Sequence, residues 1–137
     1  MKKNQTLLKI VLLAISIYHI ALGIFAFISE NAAVYLAESF FGMTLIATPQ
    51  LSYFAKLLGI YAFIFGVIML YVMRDPDKYK EIIKVTIILY ALRVINRIVF
   101  AGLVQKAFQV SDFSMILEIF LLIFFGGALW ALMPRKR

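Results

Sequence analysis

The run IIKVTIILYALRVINRIVFAGLV, from Ile82 to Val104, carries Arg93 and Arg97 inside a stretch otherwise apolar enough to cross a bilayer. A helix rises about 1.5 Å per residue, so about 20 residues span roughly 30 Å of hydrocarbon. An ionisable side chain near the middle of such a span costs roughly 2.5–3.5 kcal/mol on insertion scales. Two of them four residues apart share one helical face and need partners, water or a ligand. This run therefore predicts a membrane helix whose inward face holds the residues of functional interest.

The rest of the chain has the same character. Of 137 residues, 64% are hydrophobic and 15% charged, where soluble domains average about 25% charged. Three further runs are long enough to span: Leu7 to Ile28, Leu51 to Met73 and Phe113 to Met133. The expected fold is all-α, an integral membrane four-helix bundle forming one transmembrane domain, with spans near 7–28, 51–73, 82–104 and 113–133. The first run follows Lys2 and Lys3 like a signal peptide, but no small-residue cleavage site precedes Glu30, and it reads as a retained span.

Charge sets the expected orientation. Lys2, Lys3, Lys9, Arg74, Lys78, Lys80, Lys84, Arg135, Lys136 and Arg137 fall on one side of a four-span arrangement, with Asp75, Asp77 and Glu81 beside them. That side holds the whole net charge of +7, because Lys56, Arg93, Arg97 and Lys106 balance Glu30, Glu38, Asp112 and Glu118. The positive-inside rule puts both termini and the 74–84 loop in the cytoplasm. Short basic clusters flanking apolar spans are topology signals, and no basic domain is left to hold nucleic acid. With no cysteine in the sequence, disulfides, thiolate metal sites and cysteine nucleophiles are excluded.

The connections carry recognisable punctuation. After the first span, Asn31 is a candidate N-cap for a short helix with Ala33, Val34, Ala37, Phe40 and Phe41 on one side and Glu38 on the other, closed by Gly42. It reads as an outer interfacial helix or as a lid over the bundle mouth. Pro49 suits a helix start. Asp77 is placed to cap the third span, and Ser111 or Asp112 the fourth. The short connection from Gln105 to Asp112 makes the last two spans antiparallel neighbours.

Each span has one face that lipid would reject. Thr86, Tyr90, Arg93 and Arg97 share a narrow sector of the third, flanked by Asn96; Ser16, His19, Gly23 and Glu30 share one on the first. Ser52, Lys56, Gly59 and Gly66 do so on the second, and Ser111, Ser114 and Glu118 on the fourth. Polar faces turn inward in membrane bundles and small residues let helices approach closely. By helical rise, Arg97, Glu118 and Lys56 share one layer in the outer half, and His19 and Arg93 lie near the midplane. The expectation is an outward-opening polar pocket with Arg93 at its floor.

Two readings stay open for these charges. Arg97 and Glu118 form either a structural ion pair joining two helices or part of a ligand site. Arg93 has no carboxylate at its own depth by this estimate, so its partners are Tyr90, Asn96, helix carbonyls, water, or an anionic group that a guanidinium fork grips in two places. His19 is a hydrogen-bonded core residue or a proton relay, and a lone histidine excludes bis-His haem. Lys56 is a rim residue whose amine reaches outer water. Gly59, Ala62 and Gly66, like Gly126, Gly127 and Ala131, are packing faces. No catalytic triad, phosphate loop, metal-ligand spacing or cofactor motif is present, so no catalytic or metal-binding residues are assigned and an enzyme is disfavoured.

The run Arg93-Val-Ile-Asn96-Arg97, continuing through Gly102, Glu118 and Phe124 to Leu129, resembles the small four-span BphX-like proteins of the wider DoxX-like group. That resemblance covers nearly the whole chain and implies a compact four-helix bacterial inner-membrane protein. Some DoxX-like proteins are linked to quinone or thiol redox complexes, and the absence of cysteine here argues against the thiol role.

The leading expectation is a pocket for an anionic or amphipathic small molecule, such as a lipid headgroup or quinone-like compound. Arg93 and Arg97 bind its polar end, His19 and Asn96 orient it, and Glu118 holds Arg97. Tyr90 and Lys56 complete the ligand-binding set. One alternative is a dimeric transporter or proton-coupled carrier titrating His19 and Glu118. The other is an assembly subunit of a larger membrane complex, with membrane lipid and a partner subunit as its contacts.

Overall fold

A computed structural model describes residues 2–44, 46 and 48–134 of the chain. Its described residues form helices and no strand: α1 (Lys2–Ile28), α2 (Glu30–Phe41), α3 (Pro49–Arg74), α4 (Lys80–Val99), α5 (Ala101–Phe108) and α6 (Asp112–Leu132). Asn4–Ile28, Pro49–Arg74 and Asp112–Leu132 are each long and apolar enough to cross a membrane, and α4 with α5 makes up to a fourth span if the bent pair counts as one. Large apolar side chains such as Ile17, Leu58, Ile95, Phe120 and Ile123 remain exposed along the outside of the helices. A surface of that kind has no place in water and marks the chain as a membrane protein.

The third span departs from expectation. Instead of one helix over 82–104, α4 ends at Val99 and α5 leaves at 73° to it. The break falls at Phe100, whose backbone (φ −102°, ψ 19°) lies in the bridge region between helix and strand. Gly102, two residues on, is the weakest helix former here, so little holds the helix straight. After the turn, α5 is tied down by its own surroundings. The Gln105 side chain donates to Asp112, and the Thr44 amide donates to the Phe108 carbonyl at 2.8 Å.

Helix ends show which residues satisfy the free amides. Ser29, not Asn31, caps α2, accepting from the Ala32 amide at 3.3 Å, and Gly42 closes that helix in the left-handed conformation at φ 60°. Thr48 caps α3 ahead of Pro49, and Ser111 caps α6. Asp77 does not cap α4. It lies within the 76–79 turn that precedes the helix, and its carboxylate instead accepts from the Gln5 amide group at 2.9 Å. Lys9 Nζ donates to the Arg74 carbonyl at 3.3 Å, so the start of α1 lies beside the α3–α4 turn. Leu132 and Met133 pack against the apolar cluster that also holds Leu8 and Val72.

The helices pack as two pairs, α1 with α3 and α4 with α6, joined chiefly through α1 and α6. The α1–α3 seam is the closest. A methyl on Gly23 would come within 2.6 Å of the Gly59 carbonyl oxygen and the Phe63 amide nitrogen, and one on Gly66 within 2.8 Å of the Ile20 nitrogen. Ser16, fully buried, donates to the Gly66 carbonyl at 2.7 Å. The small-residue stripes of α1 and α3 thus face each other rather than a polar centre, because backbone contact between helices gains more than either gains from water. α2 packs against α1, α3 and α6 at the end where α5 also lies.

Candidate functional site

With α1 committed to α3 and α4 to α6, α1 and α4 stand across the bundle from one another. A cavity of about 280 Å³ opens in that space, between α1, α4 and α6. Its polar end is made by Tyr18 and His19 of α1, Tyr90 and Arg93 of α4, and Glu118 of α6. The remaining wall is apolar, with Leu117, Leu121 and Phe125 recurring every fourth residue on α6 and Ala14 and Ile15 opposite.

The charge arrangement is specific. Glu118 lies between two guanidinium groups: its Oε1 accepts from Arg93 Nη2 at 3.1 Å, and its Oε2 pairs with Arg97 Nη2. Arg93 and Arg97 sit one helical turn apart, so a carboxylate facing the gap between turns reaches both. This corrects the expectation that Arg93 has no carboxylate at its depth. With α4 ending at Val99 rather than running on to Val104, Arg97 is two residues from the helix end, and the long arginine side chain takes up the remaining offset. The two arginines differ in setting. Arg97 is shut in at 11% side-chain exposure, matching Glu118 at 12%, whereas Arg93 at 37% faces the cavity. Two cations and one anion leave the cluster one positive charge in excess.

Three aromatic or imidazole groups line the same end. Tyr90 is buried, and Gly126 across from it has no side chain, which leaves α4 room against α6. His19 Nδ1 lies 2.8 Å from the Ile15 carbonyl. A carbonyl only accepts, so Nδ1 carries the proton and, in the neutral ring, Nε2 remains an acceptor. Phe65 and Tyr18 meet the imidazole edge-on, at 4.7 and 5.0 Å between ring centres, and fix its orientation.

Arg93, His19, Tyr90 and Glu118 therefore gather at the cavity, and Arg97 stands directly behind it. Asn96 and Lys56 do not join them. Asn96 is exposed on α4, on the shoulder of the inward sector, and Lys56 is exposed on α3, a helix that lines no part of the cavity. Thr86 is buried one turn below, donating to the Ile82 carbonyl at 2.9 Å. Tyr18, which from sequence reads as an aromatic marker of the membrane interface, lines the cavity instead, and the Leu117, Leu121, Phe125 wall was not singled out from sequence. The four-residue spacing of that wall beside Glu118 was the available signal.

The opening also differs from expectation. Leu117 and Leu121 are each 44% exposed and Tyr18 40%, all on the flanks of α6 and α1, while Arg97 and Val110 are buried toward the end where α2 and α5 lie. The exposed part of the cavity lining therefore lies sideways, between α1 and α6. The mouth faces the surface that carries the exposed apolar side chains.

The chain matches no family model, no curated protein and no solved structure.

Proposed function

We propose that the protein is a four-span membrane protein that binds an amphipathic small molecule, taking its polar head into the cavity and leaving its apolar part against the flank of the bundle. The basic residues flanking the spans favour termini in the cytoplasm and, with the BphX-like resemblance, a bacterial inner membrane. One observation carries the reading. An arginine that shares its carboxylate with a second arginine stands at the polar end of a laterally open, largely apolar cavity. A head bearing acceptor oxygens, whether a lipid headgroup or a quinone-like ring, meets the guanidinium donors of Arg93 at the end of the cavity that Tyr18, His19 and Tyr90 also line. The volume lies just below the roughly 300–1,000 Å³ of small-molecule sites, so it suits the head and not the whole of a lipid.

The two arginines have separate roles in this account. Glu118 and Arg97 form a neutral pair that survives loss of Arg93. Arg93→Ala should therefore lower retention of copurifying amphiphile by about tenfold to a hundredfold, the loss of one charged hydrogen-bonding partner, with folded yield close to wild type. Arg93→Lys should recover part of it, since a lysine keeps the charge without the fork. Quantitative mass spectrometry of extracted lipid against folded yield is the test. Equal loss of ligand and folded protein in Arg93→Ala would make the arginine structural.

A further inference from the structure

We infer that the occupant is a monoanion on a single alkyl chain, admitted sideways from the bilayer with its head on Arg93 and its chain lying between α1 and α6. This rests on the binding reading above and narrows it to one ligand class.

Charge decides the head. Arg93, Arg97 and Glu118 sum to one positive charge, and the rest of the cavity lining carries no acidic or basic side chain beyond the imidazole of His19. Neither His19, whose protonated nitrogen is already bound to the Ile15 carbonyl, nor the tyrosine hydroxyls supply a countercharge. A single carboxylate or an equivalent monoanion brings the cluster to neutrality, and a dianion overshoots it. Arg97 is closed in behind Glu118 and its guanidinium does not line the cavity, so the anion meets Arg93. A guanidinium has five N–H donors, of which Arg93 directs one at Glu118, so it can hold both carboxylate oxygens without giving up its existing partner.

Shape decides the tail. Past the head site, the wall is Leu117 and Leu121 on one side and Ala14 on the other, all of them open to the flank. Ile10 on α1 and Phe124 on α6, about one turn further along the same flank, are also exposed. Exposed apolar side chains thus continue from the mouth along both helices. A single extended chain can follow this one line of exposed apolar side chains, whereas a second would have none of its own to follow. Because the mouth opens on the apolar surface, the chain never has to cross water.

The test is native mass spectrometry of the full-length protein in an uncharged detergent, titrated separately with laurate, methyl laurate and butyrate. Laurate should bind as a single adduct. Methyl laurate, the same chain without charge, and butyrate, the same charge without the chain, should each bind at least tenfold more weakly. Arg93→Ala should bind laurate no better than wild type binds methyl laurate. Leu121→Trp fills the mouth from an exposed position and leaves the ion cluster intact, so it should fold normally and lose laurate. Methyl laurate binding as well as laurate, or Leu121→Trp retaining laurate at wild-type strength, would overturn the inference while leaving the pocket standing. If wild type held neither laurate nor methyl laurate, the binding reading itself would fall with it.

Discussion

Glu118→Ala should be the most damaging single substitution in the protein. It removes the one carboxylate that Arg93 and Arg97 share and leaves two guanidinium groups a helical turn apart with nothing between them. Breaking a buried ion pair from one side costs about 3–5 kcal/mol, because the stranded charge keeps its desolvation penalty. In this cluster the penalty falls on two charges, of which Arg97 is nearly fully enclosed. Folded yield, read as the monodisperse fraction after extraction, should collapse. Adding Arg97→Met in the same chain should restore much of it, since an apolar group of similar length needs no partner there. Such a double variant should fold without regaining wild-type ligand retention, as Glu118 no longer orients Arg93. Wild-type yield from Glu118→Ala alone would mean that the arginines are satisfied by something other than this carboxylate.

The second large effect is expected at the α1–α3 seam. Gly23→Val places branched carbon where even a single methyl would sit 2.6 Å from the Gly59 carbonyl oxygen and from the Phe63 nitrogen. Both are backbone atoms, so relief requires the helices to move apart. Overpacking of this kind costs typically 1–3 kcal/mol and more when backbone must shift. It would also stretch the Ser16 to Gly66 hydrogen bond further along the seam. Thermal unfolding in detergent should show a clear loss for Gly23→Val. Gly127→Ala provides the contrast: nothing lies within 4 Å of its added methyl, so the exchange should be neutral or stabilising by about 0.5–1 kcal/mol through helix propensity alone. Equal behaviour of the two variants would contradict the close approach of α1 and α3.

How far these features could be read from sequence differed by residue. The apolar runs and the inward sector of Thr86, Tyr90, Arg93 and Arg97 follow from composition and 100° geometry, and in the structure three of the four are buried while Arg93 faces the cavity. Gly42, Pro49 and Ser111 likewise act as local chemistry requires, because caps and helix starts depend on a few neighbouring residues. Partnership between helices was less legible. Ser16 and Gly23 share a sector with His19, yet they serve the seam with α3 while His19 reaches the cavity, since a sector about 60° wide can straddle two neighbours. The bend at Phe100 was hidden by an unbroken apolar run, for hydropathy does not register helix direction. That single miss displaced the depth estimate for Arg97 and so concealed that Glu118 serves both arginines. Lys56 was placed by depth and by the sector it shares with Gly59 and Gly66, but those glycines turn that sector toward α1 and Lys56 itself stays exposed.

The central claim is that Glu118 joins both arginines inside the bundle. Solid-state NMR on protein in lipid bilayers, with carbon-labelled glutamate and nitrogen-labelled arginine, measures it directly. One glutamate carboxyl carbon should show dipolar coupling to guanidinium nitrogens of two arginines, within about 4 Å as for hydrogen-bonded ion pairs. That signal should vanish in Glu118→Gln and lose one of its two couplings in Arg93→Lys. A Glu118 carboxyl coupled to no guanidinium would contradict the account.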